Sequence, residues 1–263
     1  MITLAALNRM KQAHEKIACL TAYDASFAAQ AEAAGVEVLL IGDSLGMVVQ
    51  GQRSTLPVTL DDMIYHGRAV ARGSDKALLV IDMPFMSYAT PALALESAAR
   101  LMREGEAHMV KLEGGAVQVE TVRALTGHGI PVCAHLGLLP QSVHQLGGYR
   151  VQGRDAAGAE TIHHDALELQ AAGAGMLVLE CVPVPLARRI SAELGIPVIG
   201  IGAGVDCDGQ VLVLYDMLGI TPGKRPSFSR DFLADNPGIG AALRAYVQAV
   251  KDKSFPSGTE SFE

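Results

Sequence analysis

The 263-residue chain has no cysteine pair at metal-site or redox spacing, no long apolar run and no excess of positive charge. Each absence removes a class of function. Cys19, Cys133, Cys181 and Cys207 are scattered without a CxxC, which fits reduced thiols in a cytosol and argues against a disulfide framework or a zinc site. Apolar stretches such as Val38 to Ile41 and Leu194 to Ile201 are short and broken by Gly or Pro, well below the roughly 18 residues that span a bilayer. Met1 to Leu20 carries Arg9, Lys11, Glu15 and Lys16 and lacks the ordered regions of a secretory signal. Lys plus Arg number 21 against 28 Asp plus Glu, a net charge of -7, the wrong sign for neutralising a nucleic-acid backbone. The expectation is a soluble, cytoplasmic protein that engages neither nucleic acid nor membrane. With 49% hydrophobic and 19% charged residues, the composition is that of an ordinary globular protein able to build a large core.

What is present is a repeat of short apolar runs followed by helical stretches. The runs are Lys16 to Thr21, Glu37 to Ile41, Ala77 to Ile81, Ala107 to Lys111, Pro131 to Ala134, Gly175 to Leu179, Pro197 to Ile201 and Val211 to Leu214. Several lack polar alternation, as expected of parallel strands buried on both faces, and the segments between them are long enough for helical crossovers. Helices are predicted over 24–34, 59–72, 90–105, 115–128, 159–172 and 185–194. Pro91 and Pro185 suit first turns, and Gly35, Gly73, Gly105, Gly129, Gly173 and Gly195 fall where helices should stop. Eight βα units imply a single-domain (β/α)8 TIM barrel over residues 1–250, including an N-terminal helix and C-terminal helices, with 251–263 as a mobile tail. An open doubly wound sheet is the alternative, since periodicity does not distinguish a closed sheet from an open one.

In such a barrel the strand C-termini converge on one mouth, so the polar residues ending the runs become the candidate site. They are Asp43 and Ser44 after strand two, Asp82 after three, Lys111 and Glu113 at four, His135 at five and Glu180 at six, with Tyr23 and Asp24 after strand one. Buried charges at one end of an apolar barrel cost several kcal/mol each unless paired or metal-bound. Asp43, Asp82 and Glu113 are hard oxygen donors with no His or Cys pair beside them, which favours Mg²⁺ over zinc. Each acid alone could instead cap a helix or sit in a loop, and Ser44 reads either as a turn cap or as a ligand contact. Lys111 reads as a structural ion pair or as the receiver of a substrate carboxylate. His135 reads as a buried histidine or as a donor to a substrate oxygen. Glu180 follows four apolar residues, a setting that should raise its pKa toward the range of a general base.

Other features carry less. GIGAG at 200–204 misses dinucleotide-loop spacing and either shapes the mouth or supplies tight turns. His163 and His164 read as surface residues. Cys181 reads as a small buried hydrophobe rather than a nucleophile.

The motifs LTAYDASFA from Leu20, IGDSLGMVVQG from Ile41, DMPFMSY from Asp82, VKLEGG from Val110, HLGLLPQSVHQLGGYRVQGR from His135, LECVP from Leu179 and IGIGAGVDCDGQVLV from Ile199 resemble the ketopantoate hydroxymethyltransferase family over nearly the whole chain. The resemblance implies a TIM barrel with Mg²⁺ on Asp43 and Asp82 and with Glu113 at the metal site. It implies substrate contacts from Asp43, Ser44, Asp82, Lys111 and His135, and Glu180 as proton acceptor. It further implies 3-methyl-2-oxobutanoate and 5,10-methylenetetrahydrofolate as substrates, 2-dehydropantoate as product, and a homo-oligomer, a decamer. The nearest rival is a Mg²⁺-dependent lyase or mutase of the phosphoenolpyruvate mutase and isocitrate lyase type, whose lyases carry a KxCGH loop that is absent here. A non-catalytic, ring-forming barrel is the rival from another class.

Overall fold

The computed structural model describes residues 1–263. Eight parallel strands, β1 (Ile17–Thr21), β2 (Val38–Ile41), β3 (Leu78–Asp82), β4 (Met109–Glu113), β5 (Val132–Gly137), β6 (Met176–Glu180), β7 (Val198–Ile201) and β8 (Gly209–Leu212), pair in sequence order and close through β1 and β8. Closure settles the choice between barrel and open sheet. The helices are α1 (Leu4–Gln12), α2 (Ala25–Ala34), α3 (Leu45–Val48), α4 (Leu60–Ala71), α5 (Pro91–Glu104), α6 (Val119–Gly127), α7 (Val143–Leu146), α8 (Ala156–Ala171), α9 (Val184–Glu193), α10 (Leu214–Met217) and α11 (Ile239–Lys251). Their starts follow local chemistry: Asp24, Thr59, Thr90 and Asp155 each accept a backbone N–H from the first turn. Asp24 is therefore a cap, and Gly35 ends the same helix in the left-handed conformation. No helix is both long and apolar enough to cross a membrane.

Two apolar bodies hold the fold. The larger lies between sheet and helices; the smaller fills the barrel with Ile17, Cys19, Val38, Leu78, Val80, Met109, Cys133, Met176, Val178, Ile199 and Val211, alternate residues of successive strands. Leu7 of α1 belongs to this inner body, and Leu4 and Met10 pack against it, so α1 plugs the N-terminal end of the barrel. Lys11 fastens the plug by bonding Asp208 at 2.6 Å and the Ser191 carbonyl at 2.8 Å.

The residues beyond α11 lie back on the barrel. Phe255 is buried edge-on to Tyr246 and Phe232, Arg230 stacks over Phe232 and Phe255, and Arg230 pairs with Glu260 at 2.7 Å. The Phe262 carbonyl accepts from the Val184 N–H. His163, expected at the surface, is buried: it sits well inside α8, whose start is three residues earlier than expected, and its Nε2 lies 2.6 Å from Glu193 of α9. His164 is exposed.

Candidate active site

Parity along the strands decides which side chains enter the barrel. Successive residues point to opposite faces, so the inward series through Val80 continues to Asp82, that through Met109 to Lys111 and Glu113, that through Cys133 to His135, and that through Val178 to Glu180. The strand register sets them side by side: Asp82 is opposite Lys111, Glu113 opposite His135, and Glu180 opposite Gly137. With Asp43 and Ser44 from the turn after β2, they line a cavity of about 850 Å³ at the C-terminal mouth. All seven expected site residues thus share one cavity.

The contacts follow from that register. Lys111 Nζ donates to Asp82 Oδ1 at 2.6 Å, and the Asp43 N–H donates to Asp82 Oδ2 at 3.0 Å. Gly42 leaves room beside this pair, because a Cβ there would come within 2.8 Å of Ser44 Oγ. Ser44 makes no helix cap; its hydroxyl sits 2.9 Å from the Tyr23 hydroxyl, at the cavity wall. His135 Nδ1 lies 3.4 Å from Glu113 and Nε2 3.2 Å from Glu180, yet neither nitrogen has a hydrogen bond of good geometry. A buried imidazole with two unsatisfied nitrogens has capacity for a ligand. Gly137 has φ of +93°, and a Cβ there would collide with the Glu180 carbonyl, so only glycine lets β5 turn away so close to Glu180.

Electrostatics sharpen the picture. Asp43, Asp82, Lys111, Glu113 and His135 are each 2–5% exposed, and one lysine faces three carboxylates. Burial, then the like charges of Asp82 and Glu113, holds the Asp43 carboxyl well above the usual carboxylate range; Lys111 and Gln141 offset only part of this. Burial alone would lower the Lys111 pKa, but Asp82, Glu113 and Asp43 reverse that and raise it, so its ammonium is permanent at neutral pH. His135 is pulled down by burial and Lys111, and lifted past its ordinary value by Glu113 and Glu180. Cys181 is buried, and burial followed by Glu180 pushes its thiol up, which removes it as a nucleophile.

Gln141 is a buried residue bonded to the site that strand-end reasoning misses. Its Nε2 donates to Asp43 Oδ2 at 2.8 Å and to the Met83 carbonyl at 3.0 Å, its N–H donates to Glu113 at 3.0 Å, and its Oε1 accepts from Tyr88 at 2.5 Å. It thereby ties the ends of strands β2, β3 and β4 together behind Asp43 and Glu113. It lies in the loop after β5, where no periodicity points to it.

The donor set suits a hard divalent cation. Excess buried carboxylate charge around Asp43 is what such an ion relieves, and Mg²⁺ is usually held by one or two carboxylates plus water and substrate oxygens. No three His, Cys, Asp or Glu side chains are gathered to hold an ion by themselves. Each of the three carboxylates already accepts at least one hydrogen bond within the chain, Asp82 from Lys111 and the Asp43 N–H, Asp43 from Gln141 and Glu113 from the Gln141 N–H.

Solved structures similar to this chain include phosphonopyruvate hydrolase (TM-score 0.64, 12% identical, covering 97% of this chain and 99% of that one). Phosphoenolpyruvate phosphomutase from Streptomyces platensis subsp. rosaceus is comparable, with a TM-score of 0.63, 12% identity and 95% and 97% coverage. At that identity the likeness shows the barrel alone. Sequence relatives go further. The 3-methyl-2-oxobutanoate hydroxymethyltransferase of Nitrosococcus oceani is 66% identical over 97% of each chain, and that of Thiobacillus denitrificans is 60% identical over 99% of each. The model of one enzyme family, ketopantoate hydroxymethyltransferase, matches residues 1–258, and the chain belongs to that family.

Proposed function

We propose that the chain transfers a hydroxymethyl group from 5,10-methylenetetrahydrofolate to 3-methyl-2-oxobutanoate, giving 2-dehydropantoate for pantothenate and coenzyme A synthesis. The observation that carries this reading is the convergence of Asp43, Asp82, Lys111, Glu113, His135 and Glu180 on one cavity in a chain of this family. Asp43 and Asp82 would hold Mg²⁺, with Glu113 adding its charge beside them; the ion would act as a Lewis acid on the keto and carboxylate oxygens. Lys111 has three donors and spends one on Asp82, so it can also receive the substrate carboxylate. The Ser44 hydroxyl and an unsatisfied His135 nitrogen are the remaining polar contacts for substrate oxygens.

Glu180 takes the C3 proton, and the electrons released form an enolate whose C3 is the nucleophile. Water displaces both nitrogens of the donor's bridging methylene, each nitrogen taking one of its protons, so that tetrahydrofolate leaves and the carbon is a carbonyl at the oxidation level of formaldehyde. C3 bonds to that carbon as its C–O π pair becomes an alkoxide, which takes the proton from Glu180 to give the hydroxyl. No covalent enzyme nucleophile is needed, in keeping with four buried cysteines. The same reading includes a cytoplasmic location and a homo-oligomer, a decamer, for which light scattering is the check.

The test is proton exchange. With Mg²⁺ and 3-methyl-2-oxobutanoate in D₂O, the C3 proton signal should disappear without any folate present, and Glu180→Gln should slow this by about 10²- to 10⁴-fold. Absence of metal-dependent exchange in the parent protein overturns the enolisation step; normal exchange in the Gln variant overturns the base assignment alone.

A further inference from the structure

The cavity holds a buried carboxylate that the proposed chemistry does not use. Asp216 of α10 is 5% exposed and lines the mouth on the β8 side, away from the β2–β6 arc that carries the other acids. It is firmly placed: the Leu214 N–H donates to Thr21 Oγ1 at 2.8 Å, and Thr221 Oγ1 donates to Asp216 Oδ1 at 2.5 Å. No lysine or arginine pairs with it; Arg225 is nearby but approaches Asp231, at 3.6 Å. Its second oxygen, Oδ2, accepts no hydrogen bond within the chain. Burial raises the Asp216 pKa, with Thr221 and Arg225 offsetting part of this. Asp216 thus lines the cavity with one carboxylate oxygen still able to accept from a ligand donor.

The cavity is also too large for one small keto acid. At about 850 Å³ it is in the range that takes a ligand of drug size. Its lining includes apolar and aromatic side chains as well as Asp216: Pro222, Pro226, Phe228 and Phe262, the last two both close to Gly202.

Resting on the folate-donor reading above, we infer that Asp216 recognises the aminopyrimidinone edge of the one-carbon donor. That edge presents a ring N–H and an amino group side by side, two donors matched to the two oxygens of one carboxylate. Oδ2 is free, and Oδ1 keeps a lone pair beyond the one used by Thr221. Asp216 is then a specificity residue for the second substrate, remote from the atoms that react.

The test uses tetrahydrofolate and its 2-desamino-2-methyl analogue, titrated calorimetrically into the Mg²⁺-loaded protein with keto acid present. The parent should bind tetrahydrofolate about 10- to 100-fold tighter than the analogue, the worth of one charge-assisted hydrogen bond. Asp216→Asn should weaken tetrahydrofolate by a similar factor and erase the discrimination. Thr221→Val, which keeps the carboxylate and removes only its tether, should show a smaller loss of both. A parent that does not discriminate overturns the assignment even if the Asn variant fails to fold, as does an Asn variant that discriminates like the parent. Turnover of the parent is read in parallel: if it forms 2-dehydropantoate from 5,10-methylenetetrahydrofolate, such a failure leaves the folate-donor reading standing; if it does not, that reading falls on its own.

Discussion

Replacing Lys111 by methionine removes the one cation among three buried carboxylates while keeping length and apolar bulk. The Lys111 to Asp82 bond is 2.6 Å with side chains 5% and 4% exposed, so solvent screens it little. Removing one partner of a buried pair costs about 3–5 kcal/mol, because the other charge is stranded. Against a total stability of about 5–15 kcal/mol for a natural protein this is a large loss. The folded pKa of Lys111 lies above its unfolded value near 10.4. Its contribution is therefore complete below that pH and is lost only as pH rises through the folded pKa. Urea unfolding at pH 7.5 in chelator, followed by circular dichroism, should show the full cost as a lower midpoint at unchanged slope. Lys111→Met combined with Asp82→Asn should recover part of the loss, since fewer carboxylates are then stranded. A single-variant cost under about 1 kcal/mol, the worth of a surface pair, would refute the reasoning.

Two further outcomes follow from the same network. Asp43 has a folded pKa above its unfolded value near 3.9, so its penalty is absent at low pH and grows as pH rises toward the folded pKa. Metal-free Asp43→Asn should therefore be about 1–2 kcal/mol more stable than the parent at pH 8 and no more stable near pH 4. It should also lose most of the stabilisation by Mg²⁺, about 2.7 kcal/mol at 100 times Kd in the parent; melting curves at both pH values with and without the ion check this. Gln141→Leu strips the donor from Asp43 and the acceptor from Tyr88. It should cost about 1–3 kcal/mol in urea unfolding. By loosening Asp43 it should slow C3 proton exchange about 10- to 100-fold by NMR.

Most of the barrel was legible because parallel strands covered on both faces read as unbroken apolar runs. Each expected run falls within two residues of its strand except at the end of β5, which continues three residues past Ala134 to Gly137, and at β3 to β6 the polar residues ending the runs line the cavity. β8 was displaced, expected at 211–214 and observed at 209–212, because Gly209 and Gln210 do not read as strand residues. Gly209 is there for space: any Cβ would run into the Ile17 backbone of the neighbouring strand. α8 begins at Ala156, ahead of the expected 159, because Asp155 caps it by accepting from the Gly158 N–H. α11 was foreseen only as an unplaced C-terminal helix, and the packing of Phe255 and Glu260 depends on partners distant in sequence. Gln141 and Asp216 escaped for the same reason: a loop residue and one in a single-turn helix gain their roles from tertiary position, which no local spacing records.

The helix that stoppers the barrel floor makes the reaction chamber a blind shaft with a single doorway. On the proposed reaction a small keto acid and a bulky folate would share that doorway, so the smaller molecule would enter ahead of the larger and leave after it.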